Sequence, residues 1–266
     1  DIGSNDGIFL RPLKEKGVEA LGVESANNLC ELANKQRLKT INAYMEDIDV
    51  SLLPKADIVT AFNVFAHTKA TKEITEKVFE ILKPNGVFIV EVQYLVDTIR
   101  DLTFDNIYHE HLFYYSAMAL SDFFSSLGKQ IVKIEHVDTH GGSIRVYIKR
   151  REEASNIDSS VREFLEREKG FVDHFGTYKS FGERIKRKKA DALNKFKSLK
   201  GSIVGYGAPA KATTILNYYG IKIPYTIEDN VAKQGKYIPG IKTKIISKNE
   251  MESVPDNIVV LAWNFL

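Results

Sequence analysis

Through about the first 95 residues, short runs rich in β-branched and aromatic side chains alternate with stretches of helical periodicity, the pattern of a parallel sheet covered by helices. The runs at 20–24, 38–42, 58–62 and 87–92 read as strands, and 7–16, 27–35 and 70–82 as the helices between them. Asp1-Ile2-Gly3 reads as the tail of a further buried strand. At the far end the apolar run 257–263 stops almost at once, so both ends are expected to be interior to a longer protein. A helical stretch at 117–127 leads to two more β-rich runs, 130–137 and 143–149. The short Asp138-Thr-His-Gly-Gly142 link between them predicts a hairpin.

From 150 to 200 the chain becomes charged and helix-favouring, with a basic run at Lys186-Arg-Lys-Lys189, and reads as a solvated helical connector. At Ser202-Ile-Val-Gly205-Tyr-Gly207-Ala-Pro-Ala-Lys211 a β run meets a glycine turn and a helix start, the opening of a second α/β unit. The expected organisation is a first domain at 1–150, a connector at 151–200 and a smaller, truncated α/β domain at 201–266. A length of 266 residues suits two such units. Lys and Arg number 37 against 35 acidic residues, so there is no whole-chain electrostatic case for nucleic-acid or membrane binding. A single cysteine, Cys30, forbids an internal disulfide and a cysteine-based zinc site. With no apolar run near the roughly 20 residues that cross a bilayer, and no signal-peptide pattern, a cytoplasmic chain is expected.

Two places carry candidate chemistry. Asp1-Ile-Gly3-Ser-Asn5-Asp-Gly7 puts glycines in a strand-to-helix turn, where missing side chains let backbone approach a ligand. Glu24, ending the next strand, suits the two hydroxyls of a ribose. The spacing differs from the Gly-x-Gly-x-x-Gly loop that seats a pyrophosphate. Further on, Tyr108-His109-Glu110-His111 follows the strand that closes at Glu91-Val-Gln93-Tyr94. A phenol, two imidazoles and a carboxylate in one loop are expensive to bury without purpose, and an imidazole with a neighbouring carboxylate suits proton abstraction.

The Asp-x-Gly-x-x-x-Gly loop with Glu24 and the terminal hairpin resembles the S-adenosylmethionine site of class I methyltransferases. That resemblance implies a Rossmann-like sheet ending in an antiparallel hairpin, followed by a second, smaller Rossmann-like domain. It also implies cofactor contacts from Asp1 and Gly3, at the methionine part, and from Asn5 and Gly7. Glu24 would meet the ribose, Tyr44, Met45 and Glu46 the adenine edge, and Asn63 the methionine end. Asp-x-Ile-Tyr-His-Glu-His-Leu-x-Tyr-Tyr-Ser at 105–116, His140-Gly-Gly-Ser143 with Arg145, and Gly205-Tyr-Gly-Ala-Pro-Ala-Lys211 together resemble the sugar C-methyltransferases. These enzymes methylate C3 of a nucleotide-linked 4-keto deoxysugar. The likeness implies His111 as base, Glu110 and Tyr108 as its pocket partners, and S-adenosylhomocysteine as leaving product. It further implies His140, Gly141, Gly142, Ser143, Arg145, Lys211 and Lys233 around a thymidine diphosphate sugar. Zinc in that family sits in an N-terminal four-cysteine module of which this chain has nothing. His109, Glu110 and His111 are also possible metal ligands, but a His-x-His loop lacks a clear third partner and methyl transfer from a sulfonium needs no Lewis acid. An O-methyltransferase and a non-catalytic nucleotide-binding module are the competing readings.

Overall fold

In the computed structural model, which describes residues 1–263, the expected alternation appears with trimmed ends. The order is α1 (Leu10–Glu15), β1 (Gly22–Glu24), α2 (Asn27–Lys35), β2 (Thr40–Asn42), β3 (Ala56–Phe62), α3 (Thr71–Ile81), β4 (Leu82–Gln93) and α4 (Leu95–Asp101). It continues through α5 (Ala117–Ser126), β5 (Lys129–Val137), β6 (Ser143–Arg150), α6 (Ser159–Glu168), α7 (Phe175–Ser198), β7 (Ile203–Tyr206), α8 (Ala210–Tyr219), β8 (Tyr225–Ile227), β9 (Lys244–Ile246) and β10 (Asn257–Val260).

The front strands form one parallel array. β2 pairs with β1, and β3 with β4. Ile2 occupies the place between β1 and β3 through parallel bridges to Val23 and Ala61. β6 then runs antiparallel to both β4 and β5, which is the predicted hairpin. Along β4, Phe88, Val90 and Val92 share one face and are all at most 1% exposed, while Val87, Ile89 and the buried Glu91 lie on the other. From α3 the side chains of Ile74, Val78 and Ile81, three or four residues apart, enter the same core.

The chain divides into compact units at places other than 150 and 200. Unit 1 comprises Asp1–Val96 and Leu112–Asp173, and unit 2 comprises Asp97–His111 and His174–Leu266. The stretch expected to be a solvated connector is shared between them. In α6, Val161 and Phe164 belong to the core of unit 1, and the buried Glu168 carboxylate accepts the Ala117 and Met118 N–H groups at the start of α5, at 2.6 and 2.8 Å. In α7, Ile185, Phe181 and Phe196 belong to the core of unit 2, and Arg184 donates to the Ile99 carbonyl at the end of α4 at 3.0 Å. Periodicity showed a helix there; its packing partners lie far away in sequence.

Unit 2 holds a four-stranded parallel sheet of order β10-β7-β8-β9. β9 was not among the expected strands. Helix α8 stops where Gly220 turns to φ 72° and the Ile221 N–H folds back onto the Leu216 carbonyl.

Candidate active site

At the carboxyl ends of the unit 1 strands the loop Asp1–Gly7 is fixed by its neighbours. Thr60 donates to the Asp1 carboxylate at 2.6 Å. Gly3 sits at φ 68°, and a Cβ there would come within 2.6 Å of Val64 Cγ2. Gly7, at φ 83°, would meet Leu38 Cδ1 at 2.4 Å. Both glycines therefore let the loop pack tightly against its own fold.

Glu24 is buried at the end of β1. One carboxylate oxygen accepts the Asn5 N–H and the other the Ala26 N–H, each at 2.8 Å. An ionised carboxylate has about four acceptor sites, so capacity for two hydroxyls is left after this clamp. Asn5 and Asn63 both take the left-handed conformation, at φ 54° and 56°, at neighbouring strand ends. Asparagine tolerates that region better than most residues, and such outliers cluster where a ligand is held. Beyond β2, Tyr44 is 60% exposed and Glu46 half-buried, but the Met45 side chain lies in the hydrophobic core at 3% exposure. Met45 side-chain contact with a ligand is thus corrected: only its backbone remains. A buried carboxylate with spare acceptor sites, a glycine loop and an exposed aromatic side chain together fit an adenosine-type cofactor.

The hairpin turn is equally fixed. Glu91, 4% exposed at the end of β4, accepts from Thr139 Oγ1 at 2.9 Å and from Arg145 at 2.7 Å. Arg145 also lies over the Phe62 ring, 5.3 Å from its centroid. Between these anchors His140, Gly141 and Gly142 take φ 56°, 84° and 106° in succession. Ser143 is buried and donates to the Thr139 carbonyl at 3.0 Å. His140 remains exposed.

Tyr108 and His111 were expected over the strand ends of the first domain, yet the segment that carries them belongs to unit 2. Phe104 anchors it in that core, and Thr214 of α8 donates to the Ile107 carbonyl at 3.2 Å. His111 Nδ1 lies 2.8 Å from the Asn106 carbonyl, and Nε2 lies 3.0 Å from the Tyr108 hydroxyl. A carbonyl only accepts, so Nδ1 carries the proton and Nε2 is the basic nitrogen of the neutral ring, accepting from Tyr108. Glu110 is more than half exposed and stands 3.8 Å from His109, itself 89% exposed.

Residues remote in sequence complete this corner. Asp105, 3% exposed, accepts from Trp263 Nε1 at 2.7 Å. Lys211, 7% exposed, sets its ammonium 4.5 Å from the centre of the Trp263 ring. Burial pushes that ammonium below the usual lysine range, with Asp105 pulling the other way. Lys233 is engaged with the glycine turn: it donates to the Ala208 carbonyl at 3.1 Å and stands 3.8 Å from Glu228. Glu228 repeats the Glu24 clamp, accepting the N–H groups of Ala208 at 2.8 Å and Asn230 at 3.0 Å. The contacts of Asp105, Trp263 and Glu91 had no short-range signal, because each depends on pairing across the fold.

A recess of about 420 Å³ lined by Lys55, Glu80, Lys83 and Arg150 lies at the opposite end of β4 from Glu91. Arg150 stands 3.4 Å from Glu153 within it, Lys83 reaches Asp57 outside it at 2.8 Å, and Lys55 donates to the Glu80 carbonyl at 2.7 Å. Among the described residues no group of three or more His, Cys, Asp or Glu could hold a metal ion, and no helix is long and apolar enough to cross a membrane.

The sheet order and the strand-end loop define a class, that of methyltransferases: residues 1–134 match the model of the methyltransferase domain, and the chain belongs to that family. The rear half, residues 138–266, matches the model of the C-methyltransferase C-terminal domain. The chain is 32% identical over 278 aligned positions to C-methyltransferase NovU of Streptomyces niveus, which it matches along 100% of its own length and 66% of the relative's. Among solved structures, a SAM-dependent methyltransferase of Archaeoglobus fulgidus is similar with 17% identity and a TM-score of 0.48 over 56% of this chain and 84% of its own. An S-adenosylmethionine-dependent methyltransferase of Clostridium acetobutylicum gives 14% identity and a TM-score of 0.47 over 56% of this chain and 82% of its own.

Proposed function

We propose that this protein transfers a methyl group from S-adenosylmethionine to the carbon beside the ketone, C3, of a nucleotide-linked 4-keto deoxysugar. The observation that carries the reading is His111, with Nδ1 pinned to a carbonyl and Nε2 left as the base. The rear-half match and the relative's name, C-methyltransferase, support carbon as the acceptor.

When bound, S-adenosylmethionine supplies an electrophilic methyl group and leaves as S-adenosylhomocysteine. Glu24 would accept the ribose hydroxyls, Tyr44 and Glu46 flank the adenine, and Asp1, Gly3, Asn5, Gly7 and Asn63 hold the methionine end. His111 Nε2 takes the proton from the sugar carbon, and Tyr108, its hydrogen-bond partner, helps place the sugar. Glu110, solvent-facing beside His109, has the weakest geometric support among the three cluster candidates. The His140–Ser143 turn, Arg145, Lys211 and Lys233 are the candidate substrate contacts, and the substrate is a thymidine diphosphate sugar.

Solvent-deuterium exchange at the sugar carbon, measured without cofactor, tests the chemistry. Exchange that disappears in His111→Ala is expected. An active protein that methylates a sugar oxygen and exchanges no carbon-bound proton would overturn the reading in favour of O-methylation.

A further inference from the structure

Two hydrogen-bond donors of unit 2 have no acceptor among the described residues, the amide of Asn106 fully buried and the ammonium of Lys211 not closed off. Lys211 is 7% exposed, and its ammonium has the Trp263 ring beneath it but no hydrogen-bond acceptor among the described residues. Asn106 is 2% exposed, and its Nδ2 likewise has no partner. Burying a donor without an acceptor costs about 1–3 kcal/mol, so the Asn106 amide, with an unpaired ammonium in the same corner, marks a place shaped for an oxygen from outside the chain. They belong to one corner: Asp105, next to Asn106 in the chain, accepts from the Trp263 indole at 2.7 Å, and the Lys211 ammonium stands 4.5 Å from the centre of that same ring.

Charge selects the kind of oxygen. Asp105 and Lys211 sum to zero, and Trp263 satisfies one Asp105 oxygen. A diphosphate would bring uncompensated negative charge into buried surroundings that already hold a carboxylate. A ketone oxygen arrives neutral and becomes negative only as the neighbouring carbon loses its proton. We infer that Lys211 Nζ and Asn106 Nδ2 form a two-donor pocket for the ketone oxygen of the substrate. The inference rests on the carbon-methylation reading above.

In the step it serves, the carbon–hydrogen bond breaks and the proton goes to His111 Nε2. The freed electron pair forms the carbon–carbon double bond, and the carbonyl pair settles on oxygen between the two donors. Asn106 then acts twice: its carbonyl fixes the His111 tautomer, and its side-chain amide meets the oxygen. Lys211→Met keeps an unbranched side chain of similar length and removes the ammonium.

The test uses full-length protein, a thymidine diphosphate 4-keto deoxysugar and S-adenosylmethionine, comparing wild type with Lys211→Met and Asn106→Ala. Deuterium exchange and kcat are expected to fall by about 100-fold in Lys211→Met, with KM and cofactor affinity changed far less. Asn106→Ala is expected to fall in the same direction, and it decides the matter if Lys211→Met does not fold. Wild-type exchange rates in both variants would sink the pocket while leaving carbon methylation standing. A tenfold rise in KM at unchanged kcat in Lys211→Met would overturn it as well, by making Lys211 a holder of the substrate's fixed charge. Methylation of oxygen by the wild type, with no exchange, would remove the parent reading and this inference together.

Discussion

Glu24 shows how one side chain serves loop geometry and chemistry at once. Its oxygens hold the Asn5 and Ala26 amides, so the crevice is formed before any ligand arrives. Glu24→Gln turns one acceptor into a donor facing an N–H. It is expected to lower stability by about 1–3 kcal/mol and to weaken cofactor binding, read by thermal melting and by calorimetric titration with S-adenosylhomocysteine. Gly3→Ala forces a side chain into a left-handed position 2.6 Å from Val64 Cγ2. It should destabilise the protein, with partial recovery when Val64→Ala is added, measured by urea denaturation. His111→Ala is expected to lower turnover by a factor of about 100 or more while S-adenosylhomocysteine binding holds, since proton transfer is a transition-state role. Glu24 was legible as a strand-end acid, because strand, turn and acid fall in one stretch. The role of Asn106 was not, because nothing in sequence tells a backbone carbonyl that it faces an imidazole.

Among the elements, helices that looked solvated turned out to be anchored. The Glu168 carboxylate of α6 caps the buried start of α5, far from it in sequence. Glu168→Ala should cost about 2–4 kcal/mol by chemical denaturation, since two amides lose a charged acceptor in a site water does not reach. Tyr115, just before α5, donates to the Phe65 carbonyl at 3.1 Å, and burial pushes its phenol up to about 12. A folded-state pKa raised above the ordinary tyrosine value of 10 supports stability fully below pH 10 and loses that support as pH climbs toward 12. Ultraviolet titration should show the late-ionising phase lose the share of one phenol in Tyr115→Phe. Helix and strand identities were readable here because apolar spacing is a local property. Whether a helix face meets a core or solvent depends on residues dozens of positions away, and α7 shows the difference.

At the scale of the molecule, two cores share a chain that crosses between them more than once. Ile134 belongs to the core of unit 1 and Ile245 to that of unit 2. Ile134→Ala and Ile245→Ala should each cost about 2–5 kcal/mol, with the main loss of hydrogen-exchange protection in the unit that carries the change. By itself, the sequence determined the alternating elements, the glycine loop with its acid, the hairpin and the reactive residues at 108–111, because each is written in neighbouring positions. Only the tertiary structure decided that the reactive segment joins unit 2, where Asp105 meets Trp263 and Lys211 lies buried over the same ring. It also decided that Met45 is core and that Glu91 and Glu228 hold turns. These depend on burial and on hydrogen bonds between residues up to 158 positions apart, an energy that exists only once the chain has closed on itself.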